Sequence, residues 1–149
     1  MSPPRWSTSP RSLRSAATAA QEAVDVCRRL ADQEQAYQPR LADALNGLAL
    51  AKARIGCPDE SAAAANEAVL LYRSLREAQP STYRRRLASA LTNHADAVRH
   101  SDADRAVALL TEARSLCDPT TDADLAEHVK TLLDALGHAD DHDPPTSPD

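Results

Sequence analysis

The chain has 149 residues, a formal net charge of −5 and a hydrophobic fraction of 42%. That length allows one domain with a buried core, and the lack of a basic excess argues against a role in binding nucleic acid. No apolar run reaches the roughly 18 residues that cross a bilayer, and three cysteines without close pairing fit the reducing cytoplasm.

Alanine and leucine dominate the composition, with 30 Ala and 18 Leu against one Ile and no Phe. Because alanine is the best helix former and β-branched residues are scarce, we expect an all-α fold. Proline is disfavoured inside helices, so the internal prolines at 39, 58, 80 and 119 divide the chain. A further division falls where Ser101 and Asp102 can cap a helix. The predicted helices are residues 11–35, 39–56, 59–78, 81–100, 103–117 and 121–137.

The two ends of the chain differ from the middle. Residues 1–10 and 138–149 are rich in Pro, Ser or Asp and lack apolar periodicity, so both are predicted to be disordered tails around a helical domain at 11–137. The first tail also lacks the apolar segment of a secretory signal. Gly56 and Gly137 stand where glycines that terminate helices belong.

A repeat of 45 residues runs through these helices. Glu-Ala pairs begin at Glu22, Glu67 and Glu112, and the apolar residues around them superpose at the same offset. These positions share one stripe of a helix. The aligned sets are Ala16, Ser61 and Ala106; Ala20, Ala65 and Leu110; and Cys27, Tyr72 and Cys117.

A second type of helix alternates with the first. Leu41, Leu87 and Leu125 each open such a helix, and further apolar positions follow them in register. Two alternating helix types at a fixed period indicate stacked helical hairpins. The segment 11–35 then reads as the second helix of a hairpin without its first helix, and we expect some homo-oligomerisation through it.

This pattern resembles the tetratricopeptide repeat, in its long-period bacterial variety. Leu45, Leu48 and Ala49 match the large, Leu and small residues of that family's first helix, and Gly56 matches its turn glycine. The departures are a period near 45 rather than 34, and Lys52 where an aromatic residue is expected. The resemblance implies a right-handed α-solenoid of stacked antiparallel hairpins, with about six helices.

The resemblance also implies a function. Members of this family bind extended peptides or partner helices in a concave groove, so the expected role is a non-catalytic protein–protein interaction module. The alternative is a regulatory or sensor fragment of a larger bacterial NTPase or transcriptional regulator. Carried over position by position, the groove residues are Asp43, Asn46, Leu50, Ser89, Thr92, Asn93, Asp96, Arg99, Glu127, Lys130 and Asp134.

Few residues point to other chemistry. Cys27 and Cys117 share a repeat position with a tyrosine and are expected in the core, whereas Cys57 lies in a turn and could be a reactive thiol. His94 replaces a leucine of the repeat, which favours a packed, hydrogen-bonded core histidine over a metal ligand. Three consecutive arginines at 84–86 are interpreted as a solvated helix start, with phosphate or nucleic-acid contact as the alternative. We expect no enzyme activity, no cofactor, no metal, and no nucleic-acid or membrane partner.

Overall fold

The structure, a computed structural model, describes residues 9–140, with side chains through residue 137. This part of the chain contains six α-helices, one short 3-10 helix and no β-strand, which confirms the predicted all-α class. The 3-10 helix is Gln35–Tyr37. The α-helices are α1 (Pro10–Gln33), α2 (Gln38–Arg54), α3 (Pro58–Ala78), α4 (Pro80–Val98), α5 (Ala103–Leu116) and α6 (Ala123–Asp140).

Proline marks the start of four helices. Pro10, Pro58 and Pro80 are the first residues of their helices, and Pro39 is the second residue of α2. Proline suits these positions because the first backbone N–H groups of a helix have no partner inside it. The predicted cap of α5 is also present: the Asp102 carboxylate accepts a hydrogen bond of 3.1 Å from a backbone N–H of the first turn.

The two glycines predicted to end helices behave differently. Gly56 follows α2 with a φ of 78°, the left-handed conformation that glycine adopts without strain, so that prediction is confirmed. The prediction for Gly137 is wrong, because α6 continues past it to Asp140. One glycine inside a helix costs only about 1 kcal/mol relative to alanine, which is too little to end a helix by itself. Residues 1–8 and 141–149, most of the two predicted tails, lie outside the described residues.

Each helix packs against the next one in the chain, and α4 also contacts α2 and α6. Small side chains stand where the helices meet. The alanines without exposed surface are Ala42, Ala49, Ala65, Ala68, Ala88, Ala90, Ala95, Ala106 and Ala113. Leucines, valines and two tyrosines, Tyr72 and Tyr83, fill the remaining space. The core is therefore a thin layer of Ala and Leu between closely spaced helices, as the composition predicts.

The repeat of the sequence recurs in the side-chain interactions. Arg28 of α1 pairs with Glu67 of α3 at 2.6 Å, and Arg73 of α3 pairs with Glu112 of α5 at 2.6 Å. The second pair is the first displaced by 45 residues. The hydrogen bonds from Arg28 lower the pKa of the Glu67 carboxyl. Exposed ion pairs contribute at most about 1 kcal/mol each, so their value here is as a marker that α1, α3 and α5 are equivalent helices.

Candidate functional site

Polar side chains of α2 and α4 form an open cleft next to the place where these two helices meet. Four of the predicted groove residues line it, together with one glycine of α2, one tyrosine of α3 and two arginines of α4. The lining residues are Asp43, Asn46, Gly47, Leu50, Tyr72, Arg85, Arg86 and Ser89, around a volume of about 500 Å³. We call this the α2–α4 cleft.

An asparagine pair joins α2 to α4 beside the cleft. The Asn93 amide donates a hydrogen bond of 2.7 Å from Nδ2 to Oδ1 of Asn46, and both side chains are half-buried. Each amide has more hydrogen-bonding capacity than this one bond uses. The Asn46 nitrogen can still donate and the Asn93 oxygen can still accept, which matches the C=O and N–H groups of an extended peptide.

Asp43 is held in the cleft from two sides. The Tyr72 hydroxyl of α3 donates a hydrogen bond of 2.5 Å to Oδ1, and Nη1 of Arg86 lies 3.7 Å from Oδ2. Burial, and then the bond to the carboxylate, raise the pKa of Tyr72 far above its ordinary value, so this hydroxyl stays protonated. Arg86 is itself placed over the ring of Tyr83, 5.7 Å from the centroid. The Asp43 carboxylate is thus fixed in orientation while its side chain remains 49% exposed.

The neighbouring arginines are paired as well. Nη1 of Arg84 lies 2.9 Å from Oδ2 of Asp122, and Nε of Arg85 lies 3.5 Å from Oδ1 of the same carboxylate. Asp122 is buried, at 3% exposure, and also accepts a hydrogen bond of 2.9 Å from the backbone N–H of Asp118. That bond, together with Arg84, lowers the pKa of the Asp122 carboxyl. The interpretation of residues 84–86 as a solvated helix start is therefore incomplete, because these arginines connect α4 to the segment before α6 and to α2.

The other predicted groove residues differ in accessibility. Thr92 does not belong to this surface: it is 1% exposed and donates its hydroxyl hydrogen bond to the carbonyl of Ala88. The reason is that α4 packs against α2, α3, α5 and α6, so more of its circumference is covered than that of α2. Asp96 and Arg99 form an ion pair of 3.2 Å at the end of α4.

The predicted groove residues of α6 are exposed but stand apart from the cleft. Glu127, Lys130 and Asp134 lie on the surface of α6 and do not line the α2–α4 cleft. Sequence reasoning missed Tyr72, Arg85 and Arg86 as cleft residues. A signal existed for the tyrosine, since a buried tyrosine usually finds a partner for its hydroxyl, and the carboxylate of an adjacent helix is such a partner.

His94 is buried in the core, as predicted, at 3% exposure. The prediction that it is hydrogen-bonded is wrong for one ring nitrogen, because Nδ1 has no partner among the described residues. Burial, and then the positive charges of Arg105 and Arg73, lower the pKa of this imidazole. No group of three or more His, Cys, Asp or Glu side chains within the described part of the chain is placed to hold a metal ion.

The three cysteines are free and half-buried. Burial raises the pKa of the Cys117 thiol, which makes it less reactive. Within residues 9–140, no helix combines the length and apolar character needed to cross a bilayer. Comparisons of the chain with protein-family models, curated proteins and solved structures found no match.

Proposed function

We propose that the chain is a non-catalytic protein–protein interaction module of the tetratricopeptide type. In this proposal α2, α4 and α6 are the first helices of successive hairpins in a right-handed α-solenoid and line its concave side. The α2–α4 cleft then binds an extended peptide or a helix of a partner protein. The observation that carries the proposal is the Asn46–Asn93 pair, which offers a donor and an acceptor beside an oriented carboxylate.

Three properties of the cleft support a peptide ligand. The amide pair can bond to a peptide main chain without selecting its sequence. Arg85, 62% exposed, and the oriented Asp43 give the cleft charges of both signs, which can select side chains. Leu50, 44% exposed, offers an apolar contact at the edge.

The free cysteines fit the proposed cytoplasmic location.

Removing the asparagine pair should weaken peptide binding and leave the fold intact. Peptides are selected on the full chain from a random-sequence display library, and the dissociation constant of the best peptide is measured by fluorescence anisotropy. We expect Asn93→Ala to weaken binding about tenfold, because losing a hydrogen bond in a half-buried site costs about 1–2 kcal/mol. Circular dichroism checks that the variant stays helical.

The matched control for this experiment is Asn66→Ala, which removes a half-buried asparagine of α3 outside the cleft. Its affinity for the selected peptide should equal that of the wild type. A selection that yields no binder, or peptides that bind Asn93→Ala as tightly as the wild type, would refute the proposed function.

A further inference from the structure

The first helix exposes a face that its repeat equivalents bury. Ala23 of α1 is exposed, whereas Ala68 of α3 and Ala113 of α5, at the same repeat position, have no exposed surface. Ala16 is likewise exposed, and its equivalents Ser61 and Ala106 are buried. The residue types are nearly the same in all three helices, so the difference lies in what covers them.

Ser61 shows what covers this position in the complete hairpin. Its hydroxyl donates a hydrogen bond of 2.7 Å to the carbonyl of Ala49, so this face of α3 packs on α2, the helix before it. Among the described residues, no helix stands before α1. The uncovered face and the adjoining side of α2 form an apolar groove, which we call the α1–α2 groove. It includes Leu13, Ala16, Ala20, Ala23 and Ala44, with one charged side chain, Arg54, at the end of α2.

The last helix has the complementary property. In repeat register α6 matches α2 and α4, each of which is followed by a helix that packs on it, but no helix follows α6 in the described part of the chain. Leu125, Ala126 and Leu133 of α6 are only half-buried. Their equivalents on α4, which are Leu87, Ala88 and Ala95, are at most 1% exposed. The part of the chain that the structure describes therefore presents one half of a hairpin interface at α1 and the other at α6.

The charges of the two ends are opposite. Residues 1–21 contain three arginines and no acidic residue, whereas residues 131–149 contain five aspartates and no lysine or arginine. The two helices of a hairpin run antiparallel, so the end of an α6 helix paired with α1 lies beside the start of α1. Arg14, exposed near the start of α1, and Asp134, exposed near the end of α6, then lie at the same end of the paired helices.

We propose that α6 of a second copy of this chain occupies the α1–α2 groove and completes a hairpin with α1. With the register of α2 on α3, Leu133 of one copy faces Ala16 of the next, as Ala49 faces Ser61 within the chain. The two contacting surfaces are different, so the assembly is head-to-tail and forms rings or open chains instead of two-fold dimers. The inference rests on the repeat arrangement proposed above. The α1–α2 groove shares Gly47 and Leu50 with the α2–α4 cleft, but Asn46 lines only the cleft and Ala23 only the groove, so variants at the asparagine pair and at Ala23 test peptide binding and association separately.

Sedimentation velocity of the full chain over a range of concentrations tests this assembly. The wild type should show species that grow with concentration beyond a dimer. Ala23→Arg places a charge in the groove and should weaken association at least about tenfold, because a charge cannot be desolvated there without a partner. The matched control, Thr18→Arg, adds the same charge to α1 at an exposed position outside the groove and should associate like the wild type.

A mixing experiment separates head-to-tail from two-fold association. Leu133→Arg blocks the α6 surface and should also be monomeric, yet an equimolar mixture with Ala23→Arg should form a one-to-one dimer, since each variant keeps one intact surface. Asp134→Arg, at an exposed position, is a second α6 variant that does not disturb the core, and it should weaken association at low salt. A wild type that stays monomeric, a mixture that forms no dimer, or association unaffected by Ala23→Arg would overturn the proposal.

Discussion

The variant Asp122→Ala should lower the free energy of unfolding by about 2–3 kcal/mol, because it leaves charged and backbone partners unpaired at a buried site. The carboxylate is 3% exposed and accepts hydrogen bonds from Arg84 and from the backbone N–H of Asp118, each of 2.9 Å. Arg84 also donates to the backbone carbonyl of Leu116, at the end of α5. The Arg84 side chain of α4 therefore joins the end of α5 to the start of α6, and the Asp122 carboxylate holds Arg84 in this orientation.

Chemical denaturation followed by circular dichroism measures this effect. Asp124→Ala is the matched control, since it removes an exposed aspartate of the first turn of α6 and should change stability by less than about 1 kcal/mol. Equal losses for the two variants would show that the buried network contributes nothing beyond an ordinary helix start.

The lowered pKa of the Asp122 carboxyl should make the stability of the fold depend on pH. The pKa of Asp122 is lowered in the folded state by the bond from Asp118 and by Arg84, so the unfolded chain binds its proton more tightly. The stabilisation is fully present above the unfolded pKa of about 4 and is lost as pH falls through the folded value. Asp122→Asn should therefore lose less stability than the wild type on acidification below about pH 4.

The second large effect should come from His94→Leu, which we expect to raise the free energy of unfolding by about 1–2 kcal/mol. His94 is buried, and its Nδ1 has no partner among residues 9–140; both equivalent positions of the repeat hold leucine, Leu48 and Leu132. The substitution therefore removes a polar atom without a partner from a site that accepts leucine elsewhere in the chain. Thermal denaturation at pH 7 measures the change.

Lowering the pH should enlarge the difference in free energy of unfolding between His94→Leu and the wild type. Burial, Arg105 and Arg73 lower the pKa of His94 in the folded state, so the unfolded chain takes up the proton first. The wild type keeps its full stability above the unfolded pKa of about 6.5 and loses it progressively as pH falls through the folded value. His94→Leu should lack this part of the dependence. His100→Leu, at an exposed position, is the control and should keep it; a buried variant that titrates like the wild type would refute the assignment.

The helices and the core could be predicted from the sequence because their signals recur. Tyr72 is buried at 1% exposure, as the stripe that it shares with Ser61 and Ala65 on α3 predicts, whereas Cys27 and Cys117 at the equivalent positions are only half-buried. The ion pairs of Arg28 and Arg73 were open to prediction for the same reason, since each joins residues 39 apart.

The cleft was harder to predict because its contacts occur once. The bond from Tyr72 to Asp43 in the cleft spans 29 residues, and that from Arg84 to Asp122 next to the cleft spans 38; among the described residues neither has a counterpart one repeat away. Thr92 was assigned to the surface because its helix was treated like α2, which packs against fewer helices. Side chains that depend on a single tertiary contact leave no period in the sequence, so only the structure identifies them.

The packing of each helix on its successor has a consequence for how the chain folds. Contacts between neighbours in sequence close short loops, and chains of low contact order fold in microseconds to milliseconds. They also allow unfolding to begin at an end. Among the described helices, α6 contacts only α5 and α4, so we expect its amide hydrogens to exchange with solvent faster than those of α4, which contacts α2, α3, α5 and α6.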